Sequence, residues 1–220
     1  MYFAIEGVIG VGKTTLARLL QPMFQANLLL EVFEENPFLS SFYADRARYA
    51  FQTQIFFLLS RYHQQNSNAP RFLSTGSSLI SDYTFEKDAL FAGINLHGDE
   101  LQMYYRVHEA LAEKIPLPDL IVYLRASTDA LMQRIAMRDR PYERQMERSY
   151  IDELNQAYDS FFLYHPSTRS PVLTIETDNL DTVRDSNNLR LVENRIRQAL
   201  ALAPFQPELP LSGDSNAHNS

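Results

Sequence analysis

Gly7-Val-Ile-Gly-Val-Gly12-Lys13-Thr14 fits the pattern G-x-x-x-x-G-K-[ST]. Glycines that lack a Cβ let backbone N–H groups turn inward around a phosphate at a helix N-terminus. The cradle takes in Gly7, Gly10, Val11, Gly12, Lys13, Thr14 and Thr15, with the Lys13 amine suited to β/γ-phosphates and the Thr14 hydroxyl to Mg²⁺. ATP or GTP is the ligand this chemistry implies.

Two carboxylates stand at expected strand ends, Glu31 after Leu28-Leu29-Leu30 and Asp82 after Ser78-Leu79-Ile80-Ser81. Ligands of an open α/β sheet collect outside those ends. One carboxylate can orient or deprotonate an acceptor hydroxyl while the other holds Mg²⁺ or its waters. The competing reading has Asp82 capping a helix that begins at Thr84.

Arg134, Arg138, Arg140, Arg144 and Arg148 fall within 15 residues. Pro141 should stop the helix there and leave Arg140 and Arg144 on a loop able to bring guanidinium forks to a phosphoryl group. Pairing with Asp139, Glu143 and Glu147 on a solvated face is the alternative. Upstream, Tyr43, Gln54 and Arg61 lie within about 20° of one another if one helix spans them, a polar stripe suited to a sugar and a base. Phe51, Phe56, Phe57, Leu58 and Leu59 read as packing around that stripe. The five histidines are scattered, with neither metal-ligand spacing nor a nucleophile–His–acid set.

Positioning these groups falls to short β-rich runs at Tyr2–Glu6, Asn27–Glu31, Ser78–Asp82, Leu120–Leu124 and Val172–Glu176. Helical periodicity fills the gaps, at about Lys13–Phe24, Phe38–Gln65, Thr84–Ile94, Asp99–Lys114, Thr128–Arg138, Arg148–Tyr164 and Leu189–Leu202. That alternation predicts an α/β fold: a five-stranded parallel sheet between helical layers, α/β/α, of the P-loop NTPase type. Residues 1–203 form one domain, and a polar tail, expected to be disordered, runs from about Pro204.

The 220 residues carry a net charge of −7, so the surface as a whole repels a nucleic-acid backbone. Cysteine is absent, which excludes disulfides, thiolate zinc sites and cysteine nucleophiles. With no apolar run long enough to span a bilayer and no signal-peptide pattern, the expectation is a cytoplasmic protein free of membrane and nucleic-acid partners.

With these residues in hand, the chain resembles the deoxyribonucleoside kinase family over about residues 1–180, nearest its bacterial deoxyadenosine/deoxyguanosine kinase branch. Glu31-Val-Phe-Glu-Glu-Asn-Pro-Phe resembles the family's Glu-Pro-Val…Asn-Pro block, which implies that Glu31 faces the acceptor 5′-hydroxyl as base. The resemblance further implies sugar and base contacts for Tyr43, Gln54 and Arg61, Mg²⁺ for Asp82 and base recognition for Asp88. Arg134-x3-Arg138-x-Arg140-x2-Glu143 resembles the arginine-rich lid, about 138–148, with the arginines on phosphates and Glu143 on the deoxyribose 3′-hydroxyl.

Tyr83 stands where that family has an arginine, and Val32 where it has a proline. The activity implied is ATP- and Mg²⁺-dependent phosphorylation of a deoxyribonucleoside in nucleotide salvage, by a homodimer. The Arg61–Asp88 pair suits a purine first, with deoxycytidine second. A nucleoside monophosphate kinase and a silent nucleotide-binding subunit are the rival readings.

Overall fold

The computed structural model describes residues 1–32, 35–164 and 168–204. Its sheet comprises β1 (Tyr2–Glu6), β2 (Ala26–Leu29), β3 (Ser78–Ser81), β4 (Leu120–Arg125) and β5 (Val172–Glu176), all parallel in the order β2-β3-β1-β4-β5. The helices are α1 (Lys13–Phe24), α2 (Leu39–Ala44), α3 (Arg46–Ser74), α4 (Lys87–Asn95), α5 (Gly98–Ala112), α6 (Thr128–Arg138), α7 (Arg148–Asp159) and α8 (Ser186–Ala199). A 3-10 turn covers Pro141–Glu143, and a π-helical turn, Ser160–Tyr164, continues α7.

Successive side chains of a strand point to opposite faces, and β1 shows where each face packs. Phe3 meets Phe24 of α1 edge-on at 5.1 Å, whereas Tyr2 clusters with Ala69 of α3. Glu6, two steps further along the Tyr2 face, reaches Tyr158 of α7. Helices therefore flank both faces, as the alternation of strands and helices predicts. Phe3, Ile5, Leu79, Ile80 and Val122 are fully buried, which explains why these strands read as continuous apolar runs.

Two expectations are corrected. The single helix over Phe38–Gln65 is two helices, parted at Asp45, whose carboxylate accepts from the N–H of Arg48 and caps α3. α3 then runs on through Pro70 to Ser74. Tyr43 thus stands on α2, apart from Gln54 and Arg61, so the continuous polar stripe does not form. Beyond Pro204 the expected disordered tail lies outside the described residues, as do Phe33, Glu34 and His165.

Candidate active site

β1 ends at Glu6 and the chain turns at once into the glycine loop. Gly7 has φ +146°, and a Cβ there would press on the carbonyl of Leu124. At Gly10, φ +89°, a Cβ would come within 2.8 Å of Ile135. Both positions need glycine for conformation and space alike. The loop delivers Lys13 as the first residue of α1, its Nζ donating to the carbonyl oxygens of Gly7 at 2.7 Å and Val8 at 3.3 Å. Burial, with help from the neighbouring Lys87 charge, pulls the Lys13 amine down to about 8.

The carboxyl ends of β2 and β3 bring Glu31 and Asp82 to this loop. Asp82 accepts from the Glu31 backbone N–H at 2.8 Å and from the Thr14 hydroxyl. It caps no helix, because α4 begins only at Lys87, which rejects the capping alternative. Glu31 is held at both oxygens: Arg61 Nε donates to Oε1 at 2.9 Å, and Lys87 Nζ donates to Oε2 at 2.8 Å. Burial alone would raise its pKa, but Arg61 and Lys87 overcome it and keep the carboxyl well below the usual carboxylate range. Val32, beside it, is only half-buried and leaves this geometry intact.

A cavity opens from the loop between α2, α3 and the 138–143 segment. Gly7, Gly10, Lys13, Thr14, Glu31 and Asp82 line it, as do Gln54, Phe57 and Arg61 of α3, the last in contact with Glu31. Arg61 pairs with Asp88, which is wholly buried and whose second carboxylate oxygen has no hydrogen-bond partner among the described residues. Tyr43 also lines the cavity and stacks on Tyr142 at 6.4 Å between centroids. At the rim, Arg138 Nε donates to Glu143 at 3.1 Å, and Arg140 lies 3.7 Å from the same carboxylate.

Not every expected arginine faces this cavity. Arg134 donates to the hydroxyl and carbonyl of Thr177 and lines a second, larger groove with Val11, Gly12, Thr15 and Arg184. Arg144 turns outward to Asp139 at 2.7 Å, the exposed pairing named as the alternative, and Arg148 is also exposed but pairs with Asp129 at 2.6 Å, outside that set.

The deoxynucleoside kinase family model matches residues 3–201. This chain belongs to the deoxynucleoside kinase family. It is 33% identical to the deoxyguanosine kinase of Bacillus subtilis (strain 168) over 201 residues, 90% of this chain and 97% of that one. It is 28% identical to the deoxyadenosine/deoxycytidine kinase of the same organism, over 89% of this chain and 91% of that protein. The solved structure of deoxyadenosine kinase from M. mycoides superposes with a TM-score of 0.75 at 24% identity, covering 90% of this chain and all of that one. The parallel α/β fold is the one the alternation of strands and helices predicts, and the deoxynucleoside kinase activity is the one the resemblance implies.

Several residues of this deoxynucleoside kinase's site escape a linear reading. Tyr83 brings no cation to Glu31: fully buried, it packs with Tyr2, Leu29 and Ala69 and donates its hydroxyl to Gln64 at 2.9 Å. Lys87, one turn further on, supplies the cation at Glu31. Glu6 is fully buried and accepts from the Gly7 N–H, from Thr84 and from the Tyr158 hydroxyl, tying the loop's first residue to the start of α4 and to α7. Its signal was a carboxylate at the end of β1, immediately before the loop. Phe57, expected only to pack, lines the cavity with the Arg61 guanidinium 4.7 Å over its ring, and Leu59 is 42% exposed.

Proposed function

We propose that this kinase transfers the γ-phosphoryl group of ATP to the 5′-hydroxyl of a purine deoxyribonucleoside, with deoxycytidine as a lesser acceptor. One observation carries the reading. A single cavity is lined by the glycine loop, Glu31 and Asp82 and also by Gln54 and Arg61 of α3, with Asp88 buried behind the Arg61 guanidinium. A nucleoside laid between them presents its 5′-oxygen to the loop and its base to α3.

The base end favours a purine. Gln54 offers a donor and an acceptor to the base edge, and Asp88, buried behind Arg61 with one oxygen unsatisfied, accepts from an exocyclic amine, which thymine lacks. Leaving such buried groups unpaired against thymine is costly. Tyr43 and Glu143 flank the deoxyribose, the second on its 3′-hydroxyl.

At the reacting end, Lys13 and the loop N–H groups hold the phosphates while Glu31 orients the 5′-hydroxyl and takes its proton. Phosphoryl transfer runs through a loose transition state, so positioning and charge neutralisation matter more than the strength of the base, and a strongly ionised Glu31 suffices. Arg138 and Arg140, on a lid of about residues 138–148, exchange Glu143 for the transferring phosphoryl group. Thr14 and Asp82 offer adjoining oxygens beside the loop, a donor set that fits Mg²⁺, which keeps most of its shell for water and phosphate. Bound there, Mg²⁺ neutralises phosphate charge. The adenine end of ATP takes the groove of Arg134, Val11, Gly12 and Thr15.

In this reading the kinase domain is residues 1–203 and the protein is a cytoplasmic homodimer; light scattering of the purified protein tests the dimer. The deciding experiment is ATP-dependent phosphorylation of deoxyadenosine, deoxyguanosine, deoxycytidine, thymidine, the ribonucleosides and the nucleoside monophosphates, with Lys13→Ala as control. Turnover is expected on the purine deoxynucleosides and lost in the control. Preference for thymidine would overturn the base assignment, and turnover confined to monophosphates would overturn the acceptor.

A further inference from the structure

Lys87 is the first residue of α4, and it is 3% exposed. A buried ammonium is costly unless paired, and here it is spent on one carboxylate oxygen, Glu31 Oε2 at 2.8 Å. Lys87 also lines the cavity and rests 5.6 Å over the Tyr83 ring, which steers its stem toward the site. Its backbone N–H is fastened to the Thr84 hydroxyl at 3.3 Å, and that hydroxyl donates to Glu6 at 3.0 Å. The amine is thus anchored, through one short segment, to the strand that carries the phosphate loop.

We infer that Lys87 is a positioning residue for phosphoryl transfer, fixing the Glu31 carboxylate at the 5′-oxygen and completing the positive surround that Tyr83 does not provide. Arg61 and Lys87 grip different oxygens of Glu31 from different helices, α3 and α4, so rotation of the carboxylate is blocked only when both are present. Arg61 is shared with Asp88 at the base end. Lys87 is the partner whose place is at the reacting end. This rests on the proposed role of Glu31.

A double-mutant cycle on the purified protein tests it, with kcat and KM measured for Lys87→Met, Glu31→Gln, the double variant and Lys87→Arg, and thermal unfolding as a check on folding. Lys87→Met is expected to lower kcat by about tenfold or more, in the range of lost positioning contacts, with KM for ATP unchanged. Lys87→Arg restores most of kcat. The double variant is no slower than Glu31→Gln alone, because Lys87 acts through that carboxylate. Multiplying losses, no restoration by arginine, or a Lys87→Met kcat within threefold of the parent would overturn the inference. A Glu31→Gln enzyme of normal kcat would instead remove the role of Glu31, and with it this inference, whereas an impaired Glu31→Gln beside a normal Lys87→Met removes Lys87 alone.

Discussion

The backbone N–H of Glu31 donates to Oδ1 of Asp82 at 2.8 Å, so one hydrogen bond ties the segment that follows β2 to the carboxylate that follows β3. Asp82 therefore has two tasks, a charge beside Thr14 and an acceptor for the Glu31 backbone. Asp82→Asn keeps the acceptor and removes the charge, so kcat is expected to fall by about 10²-fold with little change in melting temperature. Asp82→Ala also leaves the part-buried N–H without its acceptor, adding about 1 kcal/mol of destabilisation. Initial rates and calorimetry separate the two tasks; an Asn variant with normal kcat would show that the charge is unnecessary.

Tyr83 is a test of whether the missing arginine matters. Its hydroxyl serves only Gln64 among the hydrogen bonds described, and neither residue lines the cavity. Tyr83→Phe should leave kcat within threefold and lower stability by about 1 kcal/mol, the worth of one buried hydrogen bond. A large loss of turnover in a folded variant would give Tyr83 a part in the chemistry that its position argues against.

Arg138 and Arg144 differ sharply despite lying six residues apart. The Arg138 guanidinium reaches over the cavity rim to Glu143, while Arg144 and Asp139 pair in solvent, with side chains 60% and 62% exposed. Arg138→Ala is expected to cut kcat by about 10²-fold or more, as loss of a transition-state donor does. Arg144→Ala should leave kcat within twofold, since an exposed ion pair contributes little. Steady-state kinetics on both variants decide the matter, and equal effects would refute the distinction.

His108 predicts an acid sensitivity unconnected with catalysis. Burial lowers its pKa below 6.5, against the opposing contact of its Nε2 with the Phe85 carbonyl at 3.2 Å. The folded protein thus prefers the neutral ring, while the unfolded chain takes up a proton near 6.5. The contribution to stability is complete above that pH and is lost as pH falls from there through the folded value. Chemical denaturation at pH 7.5 and 5.5 should show a smaller drop for His108→Gln than for the parent; an equal drop would exclude His108 as a source.

Strand limits were readable where the apolar run was continuous and sharply bounded, as at Tyr2–Glu6 and Val172–Glu176. The loop and its lysine were readable because the pattern is local. The break at Asp45 was hidden because an aspartate cap sits inside an unbroken apolar periodicity, and its signal, an acceptor three residues before Arg48, is common on helix surfaces. Lys87 was hidden for a different reason: Glu31, Arg61 and Lys87 lie on three separate elements, and only the order β2-β3-β1 brings them to one point. Nearness in sequence to Arg138 misleads for Arg134: both border the second groove, but only Arg138 also lines the cavity of Glu31.

The central strand has a history as well as a place. β1 leaves the ribosome before either neighbour, because its register partners begin at Leu79 on one side and Leu120 on the other. Until both arrive, an apolar ribbon carries an exposed glycine loop with no wall behind Gly7 and no Asp82 beside Thr14. A nascent chain must close long sequence separations first, a slow and aggregation-exposed step, and ligand rewards only the sheet already completed.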